Sequence, residues 1–200
     1  MTMDSFDLLS LNIRSAFRLL MHYTDRIVFL MNHISNKFKL PPFYDNSPFY
    51  QPVLHNKNNL RNYRDGAMNF LPLFFHVFHF RNEDEKVQLS IFILSDTGAF
   101  KDTKWDWNGA VDSFTDLESS KTRILFGITN AKGWNGDNIV YDYHGDFIKD
   151  ELIITHEEKT MVFKSFELKD FKDEKTTNGT LKNFVEYAKS KGIAHIEYVE

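Results

Sequence analysis

The stretch Lys86-Val87-Gln88-Leu89-Ser90-Ile91-Phe92-Ile93-Leu94 alternates Val87, Leu89, Ile91 and Ile93 with intervening residues. A two-residue period is that of a β-strand whose successive side chains point to opposite faces of a sheet. The aromatic run Asn69–Phe80 precedes it, and the charged segment Arg81-Asn82-Glu83-Asp84-Glu85 separates the two. Two such runs joined by a short polar segment predict an antiparallel hairpin. Toward the C-terminus the same reading predicts strands at Arg123–Thr129, Ile139–Tyr143, Phe147–Thr155 and Thr160–Leu168. Their turns are marked by residues 130–138, His144-Gly145 and His156-Glu157-Glu158-Lys159. Thr177 or Asn178 opens a helix over Leu181–Lys191, with Gly192 as its C-terminal stop. Ile193–Val199 alternates again and reads as a closing strand.

Toward the N-terminus the period changes. Leu9, Ile13, Phe17, Leu20, Ile27, Met31 and Ile34 recur at helical spacing from Phe6 to about Phe38, which one long helix or two joined near Tyr23-Thr24 fit equally well. Asp4 or Ser5 can cap the start, and Pro41-Pro42 forbids continuation past Leu40. The apolar arc is broad, so Phe17, Leu20, Ile27 and Met31 are expected to be covered by protein. Residues 41–59 read as an aromatic loop, and residues 59–68 as a short helix. The fold expected is a single α+β domain: a mostly antiparallel sheet of about five to seven strands packed on a long N-terminal and a C-terminal helix. Its helical part covers about residues 4–68 and its strand-rich part about residues 69–200.

The 200-residue chain has 20 Phe, 8 Tyr and 3 Trp, so rings dominate its core packing. It contains no cysteine, which excludes disulfides, thiolate catalysis and cysteine-ligated metal sites. No apolar run approaches the ~20 residues of a membrane helix, and the acidic start is unlike a secretory signal. The cytoplasm is the expected location, with no membrane partner. Residues 1–81 carry nine Lys/Arg against five Asp, whereas residues 82–200 carry fifteen Lys/Arg against twenty-three Asp/Glu. This balance allows local anion contact in the first part and disfavours acidic partners for the second.

Four groups of residues could carry chemistry. On the long helix Arg18, His22, Arg26 and His33 form a polar row, Arg26 and His33 being two turns apart on one face. Arginine grips a phosphate and histidine moves a proton near neutral pH. This spacing, within the run from Ala16 to Asn32, resembles HEPN-type helical domains, ribonuclease-related bundles whose motif is an Arg followed a few residues later by a His. The resemblance covers about residues 10–40 and implies metal-independent RNA cleavage by Arg26 and His33.

His76 and His79 have a spacing that chelates metal on a helix, but on a strand the two rings face apart, so no metal is expected. Asp146 or Asp150 with Glu157 and Lys159 imitates the carboxylate–lysine set of metal-dependent nucleases, although the polar run at 156–159 reads as a turn. Lys57, Arg61 and Arg64, beside Tyr63, could bind phosphates and stack a base. Trp105, Trp107 and Trp134 lie in loops and are candidate contact residues. No phosphate-binding glycine loop, nucleophile elbow or dinucleotide fingerprint is present. The sequence therefore favours a non-catalytic binding protein without cofactor, in an inhibitor, immunity-type or complex-subunit role with another protein as partner. An RNA-directed protein is the alternative, either ribonuclease or RNA binder, and a metal-dependent nuclease comes after it.

Overall fold

The computed structural model describes residues 5–46, 75–82, 87–101, 104–105, 114–130, 149–156 and 159–199. Helix α1 spans Ser5–Phe38. It stops in a Schellman motif: Leu40 N–H bonds to Ser35 O (3.1 Å) and Lys39 N–H to Asn36 O (3.4 Å). Lys39 takes the left-handed conformation this motif requires, with φ 53°, and Pro41-Pro42 follow.

Strands β1 (Pro42–Asn46), β2 (Phe75–Arg81) and β3 (Gln88–Leu94) come next in the sheet. A small hairpin is formed by β4 (Phe100–Lys101) and β5 (Lys104–Trp105). Strands β6 (Arg123–Thr129), β7 (Glu151–His156) and β8 (Lys159–Glu167) complete the main sheet. Its order is β1-β2-β3-β6-β8-β7, and every pair is antiparallel. A 3₁₀ turn, Leu168–Phe171, leads into helix α2, Glu174–Ser190. The α+β architecture, with two helices on an antiparallel sheet, is that expected from the sequence.

The alternation in β3 splits the sheet into two buried faces. Leu89, Ile91 and Ile93 share one face with Ile124, Phe126, Ile128 and Val162, and that face joins α1 and α2 in one core. Phe126 anchors it, with its ring centroid 5.0 Å from Phe184 and 5.8 Å from Phe171. On the opposite face Val77, Phe92, Leu125, Met161 and Phe163 are also buried. There the Phe163 ring lies directly over Gly127, where any Cβ would collide with it. A glycine inside a strand is thus explained by the close approach of its neighbour across the ladder.

Several expectations are corrected. Residues 42–46 form the edge strand β1 rather than loop, pairing with β2 through an irregular register between Pro42 and Tyr44. Proline is compatible with an edge strand because it has no N–H to donate. Helix α2 begins at Glu174, earlier than Thr177 or Asn178, because the Asp173 carboxylate accepts from Thr176 N–H (2.8 Å) as its cap. The expected stop at Gly192 is present, with φ +92°. Residues 193–199 form no strand: Ile193 and Ile196 are buried, and Val199 N–H bonds to Lys37 O (2.8 Å) on α1. The alternation there serves packing against the helices. The strand expected at Ile139–Tyr143 and the helix at residues 59–68 lie outside the described residues.

The largest correction concerns α1. Ile27, Leu30, Met31, Ile34 and Phe38 are buried, whereas Phe17 is 65 % exposed and Phe6 70 %. The cause is length. A 34-residue helix is about 51 Å long. Six strands at ~4.8 Å spacing give a sheet ~24 Å wide, and strands of seven to nine residues are about 23–30 Å long. Only part of α1 can lie on such a sheet.

Ile27→Ala should therefore cost about 2–5 kcal/mol in urea denaturation, and Phe17→Ala less than about 0.5 kcal/mol in the monomeric chain. Equal costs would place both ends of α1 in one environment. A second outcome follows from Glu167, which accepts hydrogen bonds from Lys121 and Lys169 that lower its carboxyl from 4.5 to about 2. A carboxyl lowered by folding contributes stability above its unfolded pKa and loses it as pH falls through the folded value. Stability should decline between pH 4.5 and about 2, and Glu167→Gln should flatten that part of the pH–stability curve.

Candidate functional site

Two features of α1 stand out, one on each half. On the C-terminal half, Arg26 and His33 border a groove of about 360 Å³ between α1 and the start of α2. Phe29, Phe171, Lys172, Asp173 and Glu174 are among its other lining residues. Arg26 Nη2 donates to Lys172 O (3.0 Å) and Phe171 O (3.4 Å), at the turn that feeds α2. His33 Nε2 is 3.0 Å from Asn178 Oδ1 on α2 itself. The two side chains thus tie α1 to a segment about 145 residues later in the chain. The cap carboxylate of Asp173 already accepts the Thr176 N–H at the start of α2, and these bonds hold it below its usual pKa. An anion entering the groove would meet this negative charge.

Arg18 and His22, the remainder of the polar row, are exposed on the other half of the helix. Arg26 and His33 are thus brought to one groove and Arg18 and His22 are not. Lys57, Arg61, Arg64, Trp107 and Trp134 lie outside the described residues. Trp105 ends β5, pairing with Phe100.

The other sequence candidates are also placed. His76 and His79 lie on β2 with alternate burial, as a strand requires: His79 Nδ1 is 2.8 Å from Ser90 Oγ, and the His76 ring lies 4.5 Å from that of Phe78. His156 and Lys159 pair across β7 and β8, whereas Asp146 and Glu157 lie outside the described residues. Asp150 pairs with Arg123 (3.3 Å) rather than with Lys159. Among the described residues no group of three or more His, Cys, Asp or Glu is arranged to hold a metal ion.

The second feature was not singled out by reading motifs. On residues 6–21, Phe6, Leu8, Leu9, Leu11, Ile13, Phe17, Leu19 and Met21 are all 43–70 % exposed. The signal in the sequence is a row at alternating three- and four-residue steps: Phe6, Leu9, Ile13, Ala16, Leu20, Tyr23, Ile27, Leu30, Ile34. That is a heptad row. Its last three members are buried in the core, and Tyr23 is half-buried with its hydroxyl 3.0 Å from Ser95 Oγ. Burial of that ring raises the Tyr23 pKa. Before Tyr23 the row emerges by degrees: Leu20 is half-buried, and Ala16, Ile13, Leu9 and Phe6 are exposed. No described helix is both long and apolar enough to cross a membrane.

The fold and its two α1 features define an α+β protein in which a sheet-bound helix projects an apolar row beyond its domain. The chain belongs to the family described as PM0109, whose profile matches residues 4–194. No curated protein and no solved structure matches it.

The ties across the groove have a measurable consequence. Arg26→Ala and His33→Ala should each lower stability by about 1 kcal/mol, the usual net worth of such bonds, with Arg18→Ala within about 0.5 kcal/mol of wild type. A double-mutant cycle between His33 and Asn178 should show coupling. Equal effects at 18, 26 and 33 would mean that the bonds contribute nothing.

Proposed function

We propose that this chain is a non-catalytic binding protein, and that the projecting half of α1 is its contact surface. The single observation carrying this reading is the set of eight large apolar side chains exposed on residues 6–21. Contiguous apolar surface of several hundred Å² marks an interaction site on most proteins. An inhibitor, immunity-type or complex-subunit role fits a helix that extends an apolar row toward a partner protein. The engagement of Arg26 with two backbone carbonyls and of His33 with Asn178 supports a structural role for the pair. A ribonuclease of the kind that the HEPN resemblance implies needs both groups available to a phosphodiester.

The test separates these readings. The full chain, used as bait in extract of its native host, should capture a defined partner that is lost with Leu9→Glu and kept with Arg26→Ala. Purified protein should leave single-stranded RNA uncut in the absence of metal. Metal-independent cleavage that disappears in both Arg26→Lys and His33→Ala would replace the binding reading with the RNA-directed one. A positioned acid or base is worth roughly 10²–10⁴-fold in rate, so its loss is readily measured.

A further inference from the structure

We infer that the projecting half of α1 pairs antiparallel with the same segment of a second copy of this chain. The inference names the partner of the surface proposed above and rests on that reading.

The first argument is the need for cover. Residues 5–22 extend about 27 Å at 1.5 Å per residue. A helix of this length holds marginally in water on its own, and packing of its apolar face supplies most of the stability. Here that face is Phe6, Leu9, Ile13, Ala16 and Leu20, flanked by Phe17 and Leu19.

The second argument is charge. Asp7, Arg14, Arg18 and His22 are the titratable side chains of residues 6–22, and helical geometry puts all four on the side opposite the row. A partner must therefore be apolar along its own contact line. A second copy meets this condition, and no like charges meet across the seam.

The third argument is area. Phe6, Leu9, Ile13, Phe17 and Leu19, on the seam or at its flanks, hold on the order of 550 Å² of exposed apolar surface per copy, taking large side chains at roughly 150–250 Å². Two copies together would bury about 1,100 Å², at the lower end for a specific interface. Contacts from Ala16 and Leu20 add to it. Leu8, Leu11 and Met21 are exposed too, but helical geometry turns them away from the seam.

Orientation follows from continuity with the core. The uncovered row and the buried positions Ile27, Leu30 and Ile34 lie on one side of α1, so the sheet occupies the space directly beyond the seam. A parallel copy in register would drive its own residues 27–38 into that sheet. An antiparallel copy escapes the clash, because each domain then sits past the other helix's N-terminus. The heptad register sets Ile13 against Ala16, Leu9 against Leu20 and Phe6 against Tyr23 of the second copy. The pairing is isologous and closes as a dimer.

Sedimentation equilibrium on the full chain, from about 1 to 100 μM, covers the affinity range of such interfaces. The expected result is reversible association to twice the 23.6 kDa chain mass. Leu9→Glu or Ile13→Glu should weaken it by about a hundredfold, because a carboxylate would be buried in the seam. Arg18→Glu, on the outer side, should leave it within about threefold. Circular dichroism of the two seam variants checks that the sheet and α2 remain folded. Because the chain lacks cysteine, the double variant Leu9→Cys/Leu20→Cys should form intermolecular disulfides efficiently, and Leu9→Cys alone should not. Efficient linking of Leu9→Cys to itself would overturn the antiparallel pairing. A monomer throughout, or a dimer indifferent to both seam variants, would overturn the second copy as occupant. If such a monomer still captures a host partner through Leu9, the binding reading stands and the pairing alone falls. If it captures nothing, both fall. A monomer that instead takes up neutral phosphatidylcholine vesicles through the same residues would also overturn the pairing.

Discussion

The length of α1 relative to the sheet governs the rest of the structure. A 34-residue helix lies on a sheet that can accommodate only about half of it. The half that fits supplies Ile27, Leu30, Met31, Ile34 and Phe38 to the core. The half that does not fit continues the same apolar row into solvent. One periodicity thus produces both a packing interface of the core and, among the described residues, a cluster of exposed apolar side chains.

The buried half is held by specific devices as well as by area. The Schellman stop at Lys39 turns the chain into β1. Arg26 and His33 reach across to the turn before α2 and to α2 itself, and Val199 bonds back to Lys37. The Phe38 ring lies against Phe184 and Tyr198, so α1 joins α2 and the C-terminal segment in a single aromatic cluster. These contacts fix the angle at which the projecting half leaves the domain. A rigid base of this kind lowers the entropic cost of presenting a helix to a partner.

Much of the sheet was legible in the sequence because its signals are local. The alternation of Val87 to Leu94 and the Arg123–Thr129 run required no knowledge of distant residues, and β3 and β6 lie where that period put them. Gly192 ended α2 for the same reason. Non-local facts were not legible. The alternation of Ile193–Val199 is that of a strand, yet these residues form none, and Ile193 and Ile196 join the core shared with the helices instead. Pro42 disguised β1, since a proline at a strand start is acceptable only once the strand is known to be an edge. The roles of Arg26 and His33 depended on partners about 145 residues away. Their spacing resembles that of a catalytic pair, and their hydrogen bonds join α1 to the turn before α2 and to α2 itself. The exposure of Phe6 to Met21 was hidden because an apolar row has one appearance whether a sheet lies under it or not.

Amide hydrogen exchange along α1, measured in the full chain at several concentrations, tests the central claim most directly. Amides of Ile27 to Ile34 should be protected at every concentration, since their burial is internal to the domain. Amides of Leu9 to Leu20 should exchange rapidly in dilute protein and gain protection as concentration rises, in step with association. Protection of both halves alike in dilute protein would contradict the account, because it would mean that the domain itself covers the whole helix.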